Sequence, residues 1–139
     1  MTVYLVRHAR AGKRSEWHGD DRLRPLDERG VRQAHRLVAQ LAGREVERIL
    51  TSPYVRCVQT VEPLAEARGL PLTQADGLAE GAAVDAAMRV LHGPGNAFVA
   101  CVHGDLVEEL LGRKLKKGAT AVLELSDDIE LLEELPPPA

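Results

Sequence analysis

Aromatic side chains are nearly absent from this sequence: Tyr4, Trp17, Tyr54 and Phe98 are the only four. A core must therefore be aliphatic, assembled from Leu, Val and Ala. Cysteine is almost as scarce. Cys57 and Cys101 give no disulfide framework and no paired-thiolate spacing for a metal, and they read as small buried hydrophobes in a reducing cytoplasm. No apolar run approaches the roughly 18 residues that span a bilayer, and the N-terminus has no signal-peptide pattern, so no membrane contact is expected. A basic balance is missing too. The formal net charge is −3, which argues against a general nucleic-acid-binding face.

What is present suits a soluble globule. Of 139 residues, 45 % are hydrophobic and 28 % charged, and the length predicts one domain over 1–139. The charge is unevenly spread. Residues 1–56 carry 12 Lys/Arg against 7 Asp/Glu, whereas residues 57–139 carry 6 against 14. Arg7, Arg10, Lys13 and Arg14 cluster near the N-terminus and point to a small anionic ligand there. For Arg10, Lys13 and Arg14 taken singly, a solvated basic loop explains the sequence as well.

Strands and helices alternate along the chain. Thr2 to Val6 reads as a buried strand, and a charged loop runs on to Pro25. From Asp27, a predicted N-cap, apolar residues recur at helical spacing to near Gly43. Val46 to Leu50 is a second strand. Ser52 and Pro53 are predicted to open a helix, as N-cap and first residue, that ends near Gly69. A weaker helix spans Ala82 to Leu91 and is broken by Gly93-Pro94-Gly95. Ala97 to Val102 is a strand, with a helix directly after Gly104 to about Leu111. Thr120 to Leu125 and Ile129 to Leu135 suggest a hairpin around Asp127-Asp128, although the second half also fits a helix. This order predicts an α/β fold: three αβα layers around a mostly parallel sheet.

Ligands of such sheets bind beyond the carboxyl ends of the strands. Three strand ends carry the candidates: Arg7-His8, the stretch Ser52 to Arg56, and His103-Gly104. Arginine offers two parallel donors to an oxyanion and stays charged, so Arg7 and Arg56 can grip one phosphate from two sides. Helix starts after Ser52 and Gly104 add backbone N–H donors. Such a pocket is cationic without a metal, and no carboxylate cluster suggests magnesium. No cofactor is implied. A neutral imidazole is a competent nucleophile toward phosphorus, provided one ring nitrogen is unprotonated and the other is held. His8 has the position for that role, and His103 for donating to the transferring oxygens. His18, His35 and His92 read as structural or exposed.

These residues resemble a known family in ordered motifs. Arg7-His8-Ala9 resembles the RHG/RHA signature of the histidine-phosphatase superfamily, which has a phosphoglycerate-mutase-like fold. Ser52-Pro53-Tyr54-Val55-Arg56-Cys57-Val58-Gln59-Thr60 is similar to its SPxxRxxQT segment, and Val102-His103-Gly104 to its second histidine motif. Arg24-Pro25-Leu26, Gly30 and Gln33-Ala34 match its RPLxxxGxxQA stretch, and Leu78-Ala79-Glu80 its LxE motif. Each is weak alone; the ordered set across residues 3 to 104 is specific. The resemblance implies a metal-independent phosphatase working through a phosphohistidine on His8. Arg7, Arg56, His103 and Gly104 would bind phosphate, and Glu80 would be the general acid/base. The short length and the RHA variant resemble bacterial phosphohistidine phosphatases and the phosphatase domains attached to Nudix hydrolases. Small phosphohistidine phosphatases commonly lack a clear carboxylate donor, and Glu80 departs from that habit. Expected substrates are a phosphohistidine protein or a small phosphomonoester or nucleotide, with neither nucleic acid nor membrane as partner.

Three rivals stand beside this reading. A non-catalytic phosphate- or phosphohistidine-binding module would use the same arginines, yet would need no nucleophile such as His8. A cysteine-dependent phosphatase built on Cys101 needs an arginine a few residues later, and Val102 to Leu111 contains none. A mutase needs a covered second site, for which the chain is short.

Overall fold

The computed structural model describes every residue except Pro94. Strand β1 (Thr2–Arg7) forms where Val3, Tyr4, Leu5 and Val6 are all buried. Successive strand side chains point to opposite faces. Accordingly Val3 and Leu5 join one hydrophobic cluster, while Tyr4 and Val6 join another. Strand β4 (Ala97–Val102) repeats the pattern, with Phe98, Ala100 and Val102 on the first side and Val99 and Cys101 on the second. Two strands apolar on both faces must lie inside a sheet covered on both sides.

The sheet has six strands in the order β3-β2-β4-β1-β5-β6. The first four are parallel: β3 (Leu72–Gln74), β2 (Arg48–Thr51), β4 and β1. The hairpin of β5 (Thr120–Leu125) and β6 (Ile129–Leu135) adds antiparallel strands at the other edge. Helices α1 (Glu28–Gln40) and α2 (Val55–Arg68) bring Leu37, Leu41, Val61 and Leu64 onto the Tyr4 face. Helices α3 (Val84–Leu91) and α4 (Gly104–Leu111) bring Ala87, Leu91, Leu106 and Val107 onto the Leu5 face. The expected αβα layering and mostly parallel sheet are what the chain adopts.

Local signals explain several boundaries. Asp27 caps α1, its carboxylate accepting from the Gly30 N–H at 2.8 Å. Helix α2 ends at Gly69, whose φ of 63° is left-handed. The last segment, open between helix and strand, is β6. The breaker after α3 falls partly on Pro94, outside the described residues.

One expectation is corrected. Ser52 does not cap α2 and Pro53 is not its first residue; the helix opens at Val55, after Tyr54. The Ser52 hydroxyl lies 2.8 Å from His103 Nε2 and accepts from the Tyr54 N–H at 3.3 Å, so a tertiary partner has claimed the group that would have capped the helix. Strand β3, three residues long at the sheet edge, was not expected, and β2 starts at Arg48 rather than Val46.

Candidate active site

Sheet topology brings the two histidines together. Strands β1 and β4 are parallel neighbours with Arg7 opposite Val102, so the residues that follow them, His8 and His103, emerge side by side. Their ring centroids are 5.5 Å apart, edge to face. Both are buried, with 5 % and 3 % of their surface exposed.

The His8 ring has a defined tautomer. Nδ1 lies 2.8 Å from the Ala9 carbonyl, which can only accept, so Nδ1 carries the proton and Nε2 holds a free lone pair. Burial pulls the His8 pKa down to about 3; the Ala9 carbonyl opposes the shift, while His103, Arg56 and Arg7 deepen it. The ring is therefore neutral at any ordinary pH. Its orienting carbonyl is held in turn. The Ala9 N–H donates to Thr60 Oγ1 at 2.9 Å, and Thr60 donates to the Arg56 carbonyl at 2.7 Å, so α2 fixes the peptide before the carbonyl, while the carbonyl's own peptide is fixed by its Arg10 N–H donating to Gln33 Oε1 at 3.0 Å.

Around His8 stand hydrogen-bond donors with no partner. Arg7 Nε, Arg56 Nε and His103 Nδ1 are buried and unpaired. The Ser52 O–H, free to donate while its oxygen accepts from Tyr54, can serve His103 Nε2, and in that tautomer the ring proton sits on Nδ1. Leaving a buried donor unsatisfied costs about 1–3 kcal/mol, more for a charged group. An oxyanion among these three satisfies them together. One further nitrogen of each guanidinium is tied down: Arg7 Nη1 to the Leu115 carbonyl at 2.6 Å, Arg56 Nη1 to the Asp21 carbonyl at 2.9 Å. Gly104 matters for space. A Cβ there would lie 2.8 Å from the Arg7 guanidinium carbon, so only glycine lets Arg7 lie across the start of α4.

Glu80 closes the other side. It follows a short 3₁₀ turn, Asp76–Leu78, anchored by the fully buried Leu78. Glu80 Oε2 is 2.6 Å from Arg56 Nη2 and 3.9 Å from His103 Nδ1, and Oε1 is 2.8 Å from Arg14 Nη2. Arg56 also contacts Asp21 Oδ2 at 3.1 Å. Burial would raise the Asp21 pKa, but Arg24, Arg56 and Arg14 together outweigh it and hold the carboxyl below its ordinary value. Arg7, His8, Arg56, Glu80 and His103 line one cleft of about 980 Å³. Among the described residues no three His, Cys, Asp or Glu side chains gather as a metal site requires.

A family model for the histidine phosphatase superfamily (branch 1) matches residues 3–90. The chain belongs to that superfamily. Phosphatase is the enzyme class that the family name carries. The 8-oxo-(d)GTP phosphatase of Mycolicibacterium smegmatis is 38 % identical over 91 % of this chain and 45 % of its own length. The phosphohistidine phosphatase SixA of Escherichia coli is 33 % identical over 51 % of this chain and 44 % of its own. These matches thus cover less than half the length of either curated relative. A solved structure of the protein histidine phosphatase SixA complexed with tungstate superposes with a TM-score of 0.82 at 24 % identity, covering 99 % of this chain and 97 % of that one. At that identity the likeness speaks for the phosphoglycerate-mutase-like fold.

Within this superfamily fold, the sequence-predicted residues Arg7, His8, Arg56, Glu80, His103 and Gly104 all meet in the cleft. Other motif positions act as scaffold. Gln33 Oε1 accepts from the Arg10 N–H at 3.0 Å, and Gln59 Oε1 from the Leu26 N–H at 2.9 Å. Gly30 lies so close to the Arg10 carbonyl that no Cβ fits. Arg14, for which a solvated loop was an equal expectation, is exposed and also ion-paired to Glu80. Arg10 pairs with Asp27. His18, His35 and His92 are exposed, away from the cleft lining, and Cys57 and Cys101 are buried. Asp21 and Ser52 escaped notice as site residues. Nothing in the spacing singles out Asp21, and Ser52 read as a cap.

Proposed function

We propose that this chain is a metal-independent phosphatase in which His8 Nε2 takes up the phosphoryl group. The reading rests above all on one observation: three unpaired buried donors, Arg7 Nε, Arg56 Nε and His103 Nδ1, surround a histidine whose Nε2 lone pair is free. Phosphoryl transfer needs little more than position and charge stabilisation. In the first step Nε2 bonds to phosphorus while the bond from phosphorus to the leaving oxygen breaks. That oxygen takes a proton from the carboxyl of Glu80. In the second step water attacks phosphorus, gives a proton to Glu80, and the N–P bond breaks to free inorganic phosphate. Arg7, Arg56, His103 and the first-turn N–H groups of α4 at Gly104 hold the oxygens in both steps.

Substrates under this reading are phosphorylated small molecules or phosphohistidine proteins. The relatives named above suggest both classes, and the cationic cleft is compatible with each. The same reading takes residues 1–139 as one domain. Among the described residues no helix is long and apolar enough to cross a membrane.

The test is a trapping experiment. Labelled substrate quenched without acid should leave phosphate on His8 in an acid-labile, alkali-stable bond, in the presence of excess chelator, and His8→Ala should abolish both label and turnover. Label on another residue, or turnover lost to chelator and restored by magnesium, overturns the mechanism. Tight phosphate binding with no turnover on any phosphoester or phosphohistidine would make the chain a binding module.

A further inference from the structure

One phosphate does not account for the positive charge in the cleft. Arg7, Arg56 and His103 serve the phosphoryl group, and Arg14 is occupied by Glu80. The loop between α4 and β5 carries Lys114, Lys116 and Lys117, all exposed and all lining the cleft, which Asp105 and Glu108 of α4 line as well. Arg29 lines the same space from α1. Among the described residues none of these four has an acidic partner within ion-pair distance. By contrast, the Arg56 wall brings its own carboxylates, Asp21 and Glu80.

The lysine loop is fastened to the nucleophile. The Gly118 N–H donates to the carbonyls of both Arg7 and His8, at 3.0 and 2.9 Å, and the Leu115 carbonyl holds Arg7. Gly118 packs on Gln33, which in turn binds the Arg10 backbone. The Lys117 ammonium, exposed overall, loses proton affinity chiefly through partial desolvation, then through the nearby Arg7, Arg24 and Arg10, while Asp27 opposes the shift. Of the cations around Lys117, Arg10 and Arg24 bring the carboxylates Asp27 and Asp21 with them, whereas the three lysines and Arg29 have none among the described residues. A charge arrangement of this kind is costly to the fold and attractive to a polyanion.

We propose that Lys116, Lys117 and Arg29 form a second anion subsite beside His8. It would hold a phosphate covalently linked to the one being transferred, so the substrate class is a small molecule with two or more linked phosphates. This deepens the phosphatase reading and rests on it for the direction of attack. The favoured occupant is a linked phosphate, not the acidic surface of a protein. The unpaired cations share one concave cleft with His8, and their loop is hydrogen-bonded to the nucleophile's own backbone.

Calorimetry with two ligands that cannot be hydrolysed tests it: methylphosphonate, which fills the first subsite, and methylenediphosphonate, which can fill both. The wild-type protein should bind the diphosphonate at least about tenfold more tightly. In Lys116→Gln/Lys117→Gln most of that preference should vanish, while methylphosphonate affinity falls by no more than about twofold. Equal affinity for the two ligands in the wild type overturns the subsite. So does an equal loss on both ligands, which would mean a diffuse field. A lysine-dependent affinity for an acidic phosphohistidine protein without any diphosphonate preference also overturns it, in favour of a docking face. No ligand here is turned over, so a retained diphosphonate preference together with no label on His8 would sink the mechanism and leave the subsite standing.

Discussion

The two ends of the central strands treat their polar groups in opposite ways. At the amino end two cations have their partners. The Met1 ammonium meets Glu124 at 2.6 Å and the Leu125 carbonyl at 3.2 Å, and Arg68 donates to the carbonyls of Leu41 and Arg44. At the carboxyl end, on the same strands, Arg7, Arg56 and His103 each keep a buried donor unpaired. The contrast is one of kind: near the end of α1 a single buried acceptor, Gln40 Oε1, lacks a partner, whereas around His8 three donors do.

The sharpest way to break that contrast is to remove the proton source. Glu80→Gln should slow alkyl phosphate hydrolysis by about 10²–10⁴-fold, the usual worth of a general acid. A phosphohistidine substrate should suffer much less, because its ring nitrogen can take a proton from water. Steady-state rates on the two substrates decide this, and equal small losses would leave Glu80 as a salt-bridge residue only. Arg7→Lys and Arg56→Lys come next. Lysine keeps the charge but loses the fork, and each variant should lose about 10²–10³-fold in kcat, on the scale of a single oxyanion donor. Rates close to wild type would mean that the arginines merely attract substrate.

A gentler probe is protonation. The His8 pKa lies below its unfolded value, so protons favour the unfolded chain. Stability from this group is fully present above about pH 6.5, the ordinary histidine value, and declines as pH falls toward 3. Nitrogen NMR of the His8 ring should therefore show one neutral tautomer, protonated at Nδ1, with no titration near 6.5. A midpoint there would refute the buried, carbonyl-held ring. The smallest effect belongs to the amino end. Glu124 is held below its ordinary pKa by the Met1 ammonium, so its contribution exists above the free carboxylate pKa and is lost on acidification. Glu124→Gln should leave kcat and KM untouched and shift the thermal midpoint only slightly; a loss of activity would mean that the two ends are coupled.

Much of this was legible in residue order. Strand β4, helix α4 and the terminal hairpin fall where apolar patterning put them, and Asp27 caps its helix as its type and position suggest. Strand patterning also sufficed to bring Arg7, His8 and His103 to one edge, because parallel neighbours deliver their following residues to the same place. The failures are tertiary. Ser52 carries every local sign of a cap, but its hydroxyl serves His103 from 51 residues away. Asp21 sits in an irregular loop where spacing conveys nothing, and only the fold brings it under Arg56. Strand β3 is too short to show a period, and edge pairing with β2 alone creates it. The lysine loop carries no motif, and its place against His8 depends on hydrogen bonds from Gly118 that no pattern announces.

Strand β1 has a consequence for how the protein fails. It is hydrogen-bonded on both sides, to β4 and β5, and nearly all of it is buried. The backbone that carries His8 therefore has no frayed edge by which to open alone. Amide protons of residues 3–7 should exchange with solvent only when the whole sheet comes apart. Heating should then leave the reactive histidine in register until the cooperative transition, so that activity and folded structure are lost at one temperature rather than in succession.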